Sequence, residues 1–397
     1  MTGIENAIEA DAPPRRPSGR RREQMTRKPR LLFVLSEMLG WQTYADQLTR
    51  VAAARSDVDV DVIRYRVPRL LGAVSKRSYP AFYGRRILFD PIGVADFALA
   101  GRWRDALARG PVDAIHVASQ TLLQLASGEA GRVPVSVALD CTRRGYNDNL
   151  RQDAWSESEI RREAALLGGA SRLYPMSRWA ATSLGTDYGI GDGRISVMPP
   201  STLLGRYGPR VRRDWERARV LFVGNNFAAK GGDRLTAWVT GPLRELCELH
   251  VVSGDPQSRV QHDGVVVHGS MDNDRLVGEL LTRVDLLCLP TRLDLSPNVL
   301  VEAAAAGLPA IASDVGAISE LVRHGETGFL VDPDDSEGFV ARLRQLSSDP
   351  AAALEMGRRA RELAAVAFSA ETNYNRLIDE MKSMAGVDWN SCERSRA

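Results

Sequence analysis

Short apolar runs rich in β-branched residues alternate along this chain with amphipathic helical stretches, and no other feature restricts its fold as much. The first series of runs is RLLFVLS (30–36), VDVDVIRY (58–65), DAIHVAS (113–119), VPVSVAL (133–139), SRLYPMS (171–177) and RISVMP (194–199). The second is RVLFVG (219–224), CELHVVSG (247–254), GVVVHG (264–269), VDLLCLP (284–290), LPAIAS (308–313) and TGFLVD (327–332). Helical segments fall between them, at 157–168, 232–240, 273–283, 297–306 and 337–347. Strand–helix alternation of this kind predicts parallel sheets covered on both faces, an α/β fold.

The stretch PPSTLLGRYGPRVRRDWERAR (199–219) separates the two series, and its Pro, Gly and charge content suits a linker. The expected organisation is a basic arm (1–29), an N-terminal doubly wound domain (30–200), a linker (201–218), a C-terminal doubly wound domain (219–370) and a C-terminal helix with a loose tail (371–397). The 397 residues are enough for two such domains. Ligands of open parallel sheets bind outside the carboxyl ends of the strands, so the cleft between the domains is the expected active site.

Composition excludes several classes. A net charge of +2 gives no global reason to bind nucleic acid. The four cysteines (Cys141, Cys247, Cys288 and Cys392) form no CxxC, and the five histidines form no HxxxH or HxH. Structural zinc and a disulfide framework are therefore not expected, and a reducing cytoplasm fits. No apolar run approaches the ~18 residues of a membrane span. The arm APPRRPSGRRREQMTRKPR is basic and poor in apolar residues; it reads as disordered, with weak contact to anionic lipid as its functional reading.

Some motifs carry less than they promise. DVDVDV (57–62) contains Asp57, Asp59 and Asp61, but strict alternation with valine reads as a half-buried strand rather than a metal site. GIGDG (189–193) is not a dinucleotide fingerprint, and no P-loop occurs. His116 sits at a strand end and is read as structural.

Two carboxylates are better placed. In DLSPNVLVEAAAAGLPAIAS (294–313), Ser296 suits an N-cap, Pro297 the first helical position and Gly307 the C′ position. The N–H groups of Asn298, Val299 and Leu300 are then expected to be free, forming with the helix dipole an anion site suited to a diphosphate. Helical side chains lean toward the N-terminus, so Glu302 comes within about one turn of that anion. A carboxylate repels phosphate, and a ribose diol beside it would be a fitting partner. Asp294, ahead of the cap, reaches the side where a sugar would hang. The plain alternative is that Glu302 is a surface residue on an Ala-rich helix.

FVGNNFAAKGGD (222–233) supplies a second candidate. Gly224 frees the backbone at a strand end, and Gly231 and Gly232 allow close approach of a ligand. Of 52 basic residues only Lys28, Lys76, Lys230 and Lys382 are lysines, so Lys230 in this loop reads as a compact charge for a leaving phosphate. A solvated loop lysine is the alternative.

At these residues the chain resembles the retaining glycosyltransferases of family four, which have the GT-B fold of two Rossmann-like domains facing across a cleft. DLSPNVLVEAAAAGLPAIASDVGAISELVRHGETGFLV resembles their donor-binding segment: an acid, seven residues, Glu-Ala, a small-residue helix and Gly-x-Pro. VGNNFAAKGG resembles their glycine–lysine loop, and residues 171–201 their interdomain stretch. The resemblance implies that Glu302 binds the donor ribose, that Asn298, Val299, Leu300 and Lys230 hold the diphosphate, and that Asp294 contacts the transferred sugar. It places Gly40 and Gly224 beside the donor. It implies a nucleotide-sugar donor of UDP or GDP type, no cofactor, no metal, and an acceptor that is a glycan, glycolipid or small molecule.

Two positions depart from the family pattern. Asn225 stands where an arginine usually binds phosphate, with Arg292 as a candidate substitute. Asp140 stands where a histidine is frequent and could accept a proton or orient a hydroxyl. Two other readings compete with transfer: glycoside hydrolysis by the paired carboxylates, and a nucleotide-sugar-binding subunit without activity.

Overall fold

The structure, a computed structural model, describes residues 27–386 apart from residues 39, 67–90, 131, 151–153, 209–214 and 260. Most of the basic arm and the tail from 387 onward lie outside the described residues.

Two wholly parallel sheets form. The first contains β1 (Arg30–Ser36), β2 (Asp59–Tyr65), β3 (Ala114–Ala118), β4 (Val135–Leu139) and β5 (Arg172–Pro175) in the order β2-β1-β3-β4-β5. The second contains β6 (Ala218–Val223), β7 (Cys247–Val252), β8 (Val265–Gly269), β9 (Leu286–Leu289), β10 (Ala310–Ser313) and β11 (Gly328–Val331) in the order β11-β10-β9-β6-β7-β8. Parallel strands are buried on both faces, which is why Leu31 to Leu35 form an unbroken apolar run with no exposure. Where the run alternates, as in β2, the aspartates turn to arginines: Asp61 pairs with Arg30, and Asp57 beside the strand with Arg55 at 2.7 Å.

The strand expected at 194–199 does not form. Ser196 and Met198 donate to Leu173 and Pro175 of β5, each at 2.9 Å, so the segment lies along that edge. It ends at Pro199 and Pro200, which have no N–H to continue a ladder.

The helices that position the site are α1 (Trp41–Ala53), α2 (Pro91–Ala108), α3 (Arg143–Leu150), α4 (Glu157–Gly169), α5 (Arg178–Thr186), α6 (Gly232–Thr240), α7 (Asn298–Ala305), α8 (Ser336–Ser347), α9 (Pro350–Ala367) and α10 (Ala370–Met384). The chain crosses between domains a second time at α10. There Thr202 donates to Phe368 and Ala370 to Thr202, at 2.8 and 2.9 Å. Tyr374, Leu377, Ile378 and Met381 of α10 then join Tyr44, Leu48 and Val51 of α1 in the core of the first domain. Arg55–Asp379 and Arg172–Glu380 fasten the same helix at 2.6 and 2.8 Å.

Each sheet reverses its strand order at one place, and that place opens a crevice at the carboxyl edge. In the first sheet it lies between β1 and β3, in the second between β6 and β9. Two contacts join the domains near these edges. Glu320 accepts from the N–H groups of Arg178 and Trp179 at the start of α5, at 2.7 and 2.9 Å. Asn298 Nδ2 donates to the carbonyl of Gly40 at 2.9 Å.

Candidate active site

The two crevices meet in one interdomain cavity of about 1290 Å³. From the second domain it is lined by Gly224, Asn225, Lys230, Asp294, Asn298, Val299 and Glu302, and from the first by Gly40 and Asp140.

The loop after β6 is shaped by close approach. Gly231 has φ +77°, and a side chain there would strike the carbonyl of Pro290 in the loop after β9. The two loops therefore pack directly together. A Cβ at Gly224 would come 2.9 Å from Cδ of Lys230, so the lysine stem lies over bare backbone. Its Nζ donates to Asp294 Oδ2 at 2.6 Å. The two candidates from separate loops thus form one ion pair, with Asp294 holding the ammonium in the cavity.

Helix α7 is buried, with Ala303 to Ala305 in the core of the second domain, so the surface reading of Glu302 does not hold. Gly307 has φ +73°; its N–H donates to Ala304 and that of Leu308 to Ala303, closing the helix as a Schellman motif. Glu302 is 3% exposed, and Oε1 accepts from Asn273 Nδ2 at 2.6 Å. Burial raises its carboxyl above the usual range, opposed by that hydrogen bond and by the charge of Arg206. Arg206 donates to Asn273 Oδ1 at 2.6 Å and to Asp274 at 2.7 Å. Asn273 and Arg206, distant in sequence, are partners that sequence reasoning missed.

Three expectations at this helix need correction. Pro297, not Ser296, is the N-cap, with φ −69° and ψ 113°; Ser296 Oγ is sealed from solvent on the cavity wall with no hydrogen-bond partner among the described residues. Leu300 is a core residue, and its N–H is not free, because it donates to Pro297 O at 3.1 Å in the tight first turn. Arg292 does not line the cavity; it pairs with Asp334 at 3.2 Å on the exposed side of the loop. Asn225 therefore gains no cation from it. Its own Oδ1 accepts from Gly254 at 3.0 Å, tying the loops after β6 and β7.

Across the cavity, Asp140 ends β4, and its Oδ1 accepts from the N–H of Cys141 at 3.0 Å. The turn that follows is held from behind. Glu163 Oε2 accepts from Arg143 N–H at 2.8 Å, Gln120 donates to Cys141 O at 2.8 Å, and Thr142 Oγ1 accepts from Gly145 at 2.9 Å. Arg143 lies 4.3 Å over the Trp155 ring, and both line the cavity. Burial pushes the Asp140 carboxyl up to about 6, with the negative charge of Asp294 adding to the effect. Ser119, at the end of β3, also lines the cavity and has φ 78°. Such a backbone costs ~1–3 kcal/mol in a non-glycine residue and marks a constrained rim that no sequence signal announced.

Other candidates lie elsewhere. His116 is fully buried between Tyr44 and Ser136, at 2.8 and 3.0 Å, and burial lowers it to about 3. Cys141, Cys247 and Cys288 are free and buried. Among the described residues no cluster of three His, Cys, Asp or Glu side chains is placed to hold a metal ion, and no helix is long and apolar enough to cross a membrane.

Residues 217–349 match the family described as Glycosyl transferases group 1. The match lies in the second domain, and the two facing Rossmann-like domains have the GT-B fold. Among curated relatives, the chain is 27% identical over 243 residues to a D-inositol 3-phosphate glycosyltransferase of Pseudarthrobacter chlorophenolicus, covering 53% of this chain and 57% of that one. The chain spans about half the length, or less, of the first such relatives it matches, at 28, 57 and 49%. Among solved structures, a sucrose-phosphate synthase from Thermosynechococcus elongatus superimposes with a TM-score of 0.73 at 20% identity, over 90% of this chain and 99% of that one. Anabaena HepE, solved in complex with UDP-glucose, gives 0.64 at 17% identity over 89 and 99%.

Proposed function

We propose that this protein transfers a glycosyl group from a UDP- or GDP-type nucleotide sugar to an acceptor hydroxyl, with retention of anomeric configuration and without a metal ion or resident cofactor. The observation that carries the reading is the convergence of Lys230, Asp294 and Glu302 on the N-terminus of α7 inside the interdomain cavity.

The diphosphate sits at the start of α7, where the amides of Asn298 and Val299 and the helix dipole favour an anion. Glu302, preset by Asn273, accepts from the ribose hydroxyls. Lys230 shares its charge between Asp294 and the phosphates, so negative charge developing on the leaving group meets a cation already in place. The bond from the anomeric carbon to the phosphate oxygen breaks as the acceptor oxygen bonds that carbon on the same face. The acceptor proton passes to the departing diphosphate. Asp294 and Asp140 orient sugar hydroxyls from the two rims, so positioning and charge supply the catalysis. Pairing of Asp294 with Lys230 argues against hydrolysis by the two carboxylates, which would need one of them free beside the glycosidic bond. The acceptor is a glycan, glycolipid or small molecule. The reading includes a cytoplasmic location, with the basic arm touching anionic lipid; cosedimentation with anionic vesicles that survives deletion of residues 1–29 would remove that part.

A panel of nucleotide sugars in a thermal-shift assay tests the whole, because a true donor stabilises the folded state. No shift from any member sinks it. Glu302→Ala should weaken the stabilising nucleotide at least tenfold, the size of ~1.4 kcal/mol. Weakening within twofold would remove Glu302 from the ribose.

A further inference from the structure

Gln47 is 3% exposed, and among the described residues neither its amide nitrogen nor its amide oxygen has a hydrogen-bond partner. It nevertheless lines the interdomain cavity from α1. Leaving a buried amide unpaired costs ~1–3 kcal/mol, and a leucine would fill the same volume without that cost. A helix whose neighbouring positions are Tyr44, Leu48 and Val51 has no need of an amide there for packing.

We propose that the Gln47 amide reads the nucleoside half of the nucleotide bound in the cavity, making the first domain a contributor to nucleotide recognition. The inference rests on the donor reading above. Its placement follows from a chain of contacts. Gly40, seven residues before Gln47 and so on the same side of α1, accepts from Asn298 at the start of α7. Leu203 packs on the core cluster that α1 helps to build, and Arg206, three residues on, holds Asn273, which holds Glu302. Gln47, Leu203, Arg206 and Asn273 all line the one cavity. The chemistry also selects. A neutral amide offers a donor and an acceptor side by side, which matches a ribose hydroxyl or a base edge. Its carbonyl oxygen would repel a diphosphate.

Gln47→Leu in the full chain tests this by melting without ligand and by titration with UDP and GDP. The expected result is an unliganded melting midpoint equal to or above wild type, with affinity about tenfold weaker for the nucleotide that binds wild type. Gln47→Met serves in the same role if the leucine variant does not fold. A lower unliganded midpoint in both variants overturns the proposal, since the amide would then be holding a structural water. Unchanged nucleotide affinity overturns it as well, while the donor reading stands. Failure of both nucleotides to bind wild type sinks the donor reading itself, and this inference with it.

Discussion

The two rims of the cavity are built on sheets of the same kind, yet they stand differently toward a ligand. On the second domain Lys230, Glu302, Arg206 and Asn225 are already matched, Ser296 Oγ apart. Lys230 holds Asp294, Glu302 holds Asn273, Arg206 holds Asn273 and Asp274, and Asn225 holds Gly254. On the first domain three groups facing the same space are unsettled, beside partnered ones such as Gln120 and Arg143. Gln47 is orphaned, Ser119 has a strained backbone, and the Asp140 carboxyl is pushed toward its neutral form. The second rim is preorganised, so a ligand there replaces one set of partners by another. On the first rim Gln47 lacks partners among the described residues, and a ligand would supply them.

Lys230→Ala should break this contrast most severely. It removes the cation proposed for the leaving phosphate and leaves Asp294, which is 12% exposed, without its ion-pair partner. Turnover of the nucleotide sugar is expected to fall ~10²–10³-fold, as when one charge-stabilising donor is lost from an active site. A fall in affinity with turnover unchanged would show that the lysine binds the ground state only.

Asp140 tests the unsettled rim through pH. Its folded carboxyl titrates at about 6 against 3.8 when unperturbed, so the folded state prefers the protonated form. The stability this gives is present below pH ~4 and is lost as pH rises through ~6. Asp140→Asn should therefore melt higher than wild type above pH 6 and equal to it near pH 4. Activity of wild type should rise through pH 6 as the carboxylate forms, and the variant, ~10–100-fold slower from loss of a charged hydrogen bond, should show no such step. An identical pH profile in both would detach Asp140 from the reaction.

The smallest effect is expected at Arg292. Its side chain is 60% exposed and turned to Asp334, so Arg292→Ala should leave nucleotide affinity within twofold. A tenfold loss would mean that the loop swings inward when nucleotide binds.

The second domain was the more legible of the two, for a local reason. Gly231-Gly232 after a strand, Pro297 at a helix start, Gly307 at its end and an acid one turn inside are all short-range signals, and each sits within a few residues of the group it positions. The misread details were those set by packing. Ser296 is a good capping residue, but the chain enters α7 through Pro297, and the hydroxyl is enclosed instead. Arg292 has the right charge for a phosphate, but the register of its loop turns it outward. The first domain gave fewer signals because its rim groups come from the ends of different strands. Nothing near Ser119, Gln47 or Asp140 in the chain states that they face one space.

By itself the sequence determined the α/β alternation, the two series of strands and the helix closed by Gly307, because periodicity, prolines, glycines and caps act over a few residues. The tertiary structure alone decided which partners those groups take. The strand orders β2-β1-β3-β4-β5 and β11-β10-β9-β6-β7-β8 fix where each crevice opens, and the return of α10 onto α1 ties the second domain's last helix to the first. The pairing of Lys230 with Asp294, the link from Glu302 through Asn273 to Arg206, and the isolation of Gln47 all join residues far apart in the chain. Such contacts depend on burial and register between elements, which no local pattern encodes.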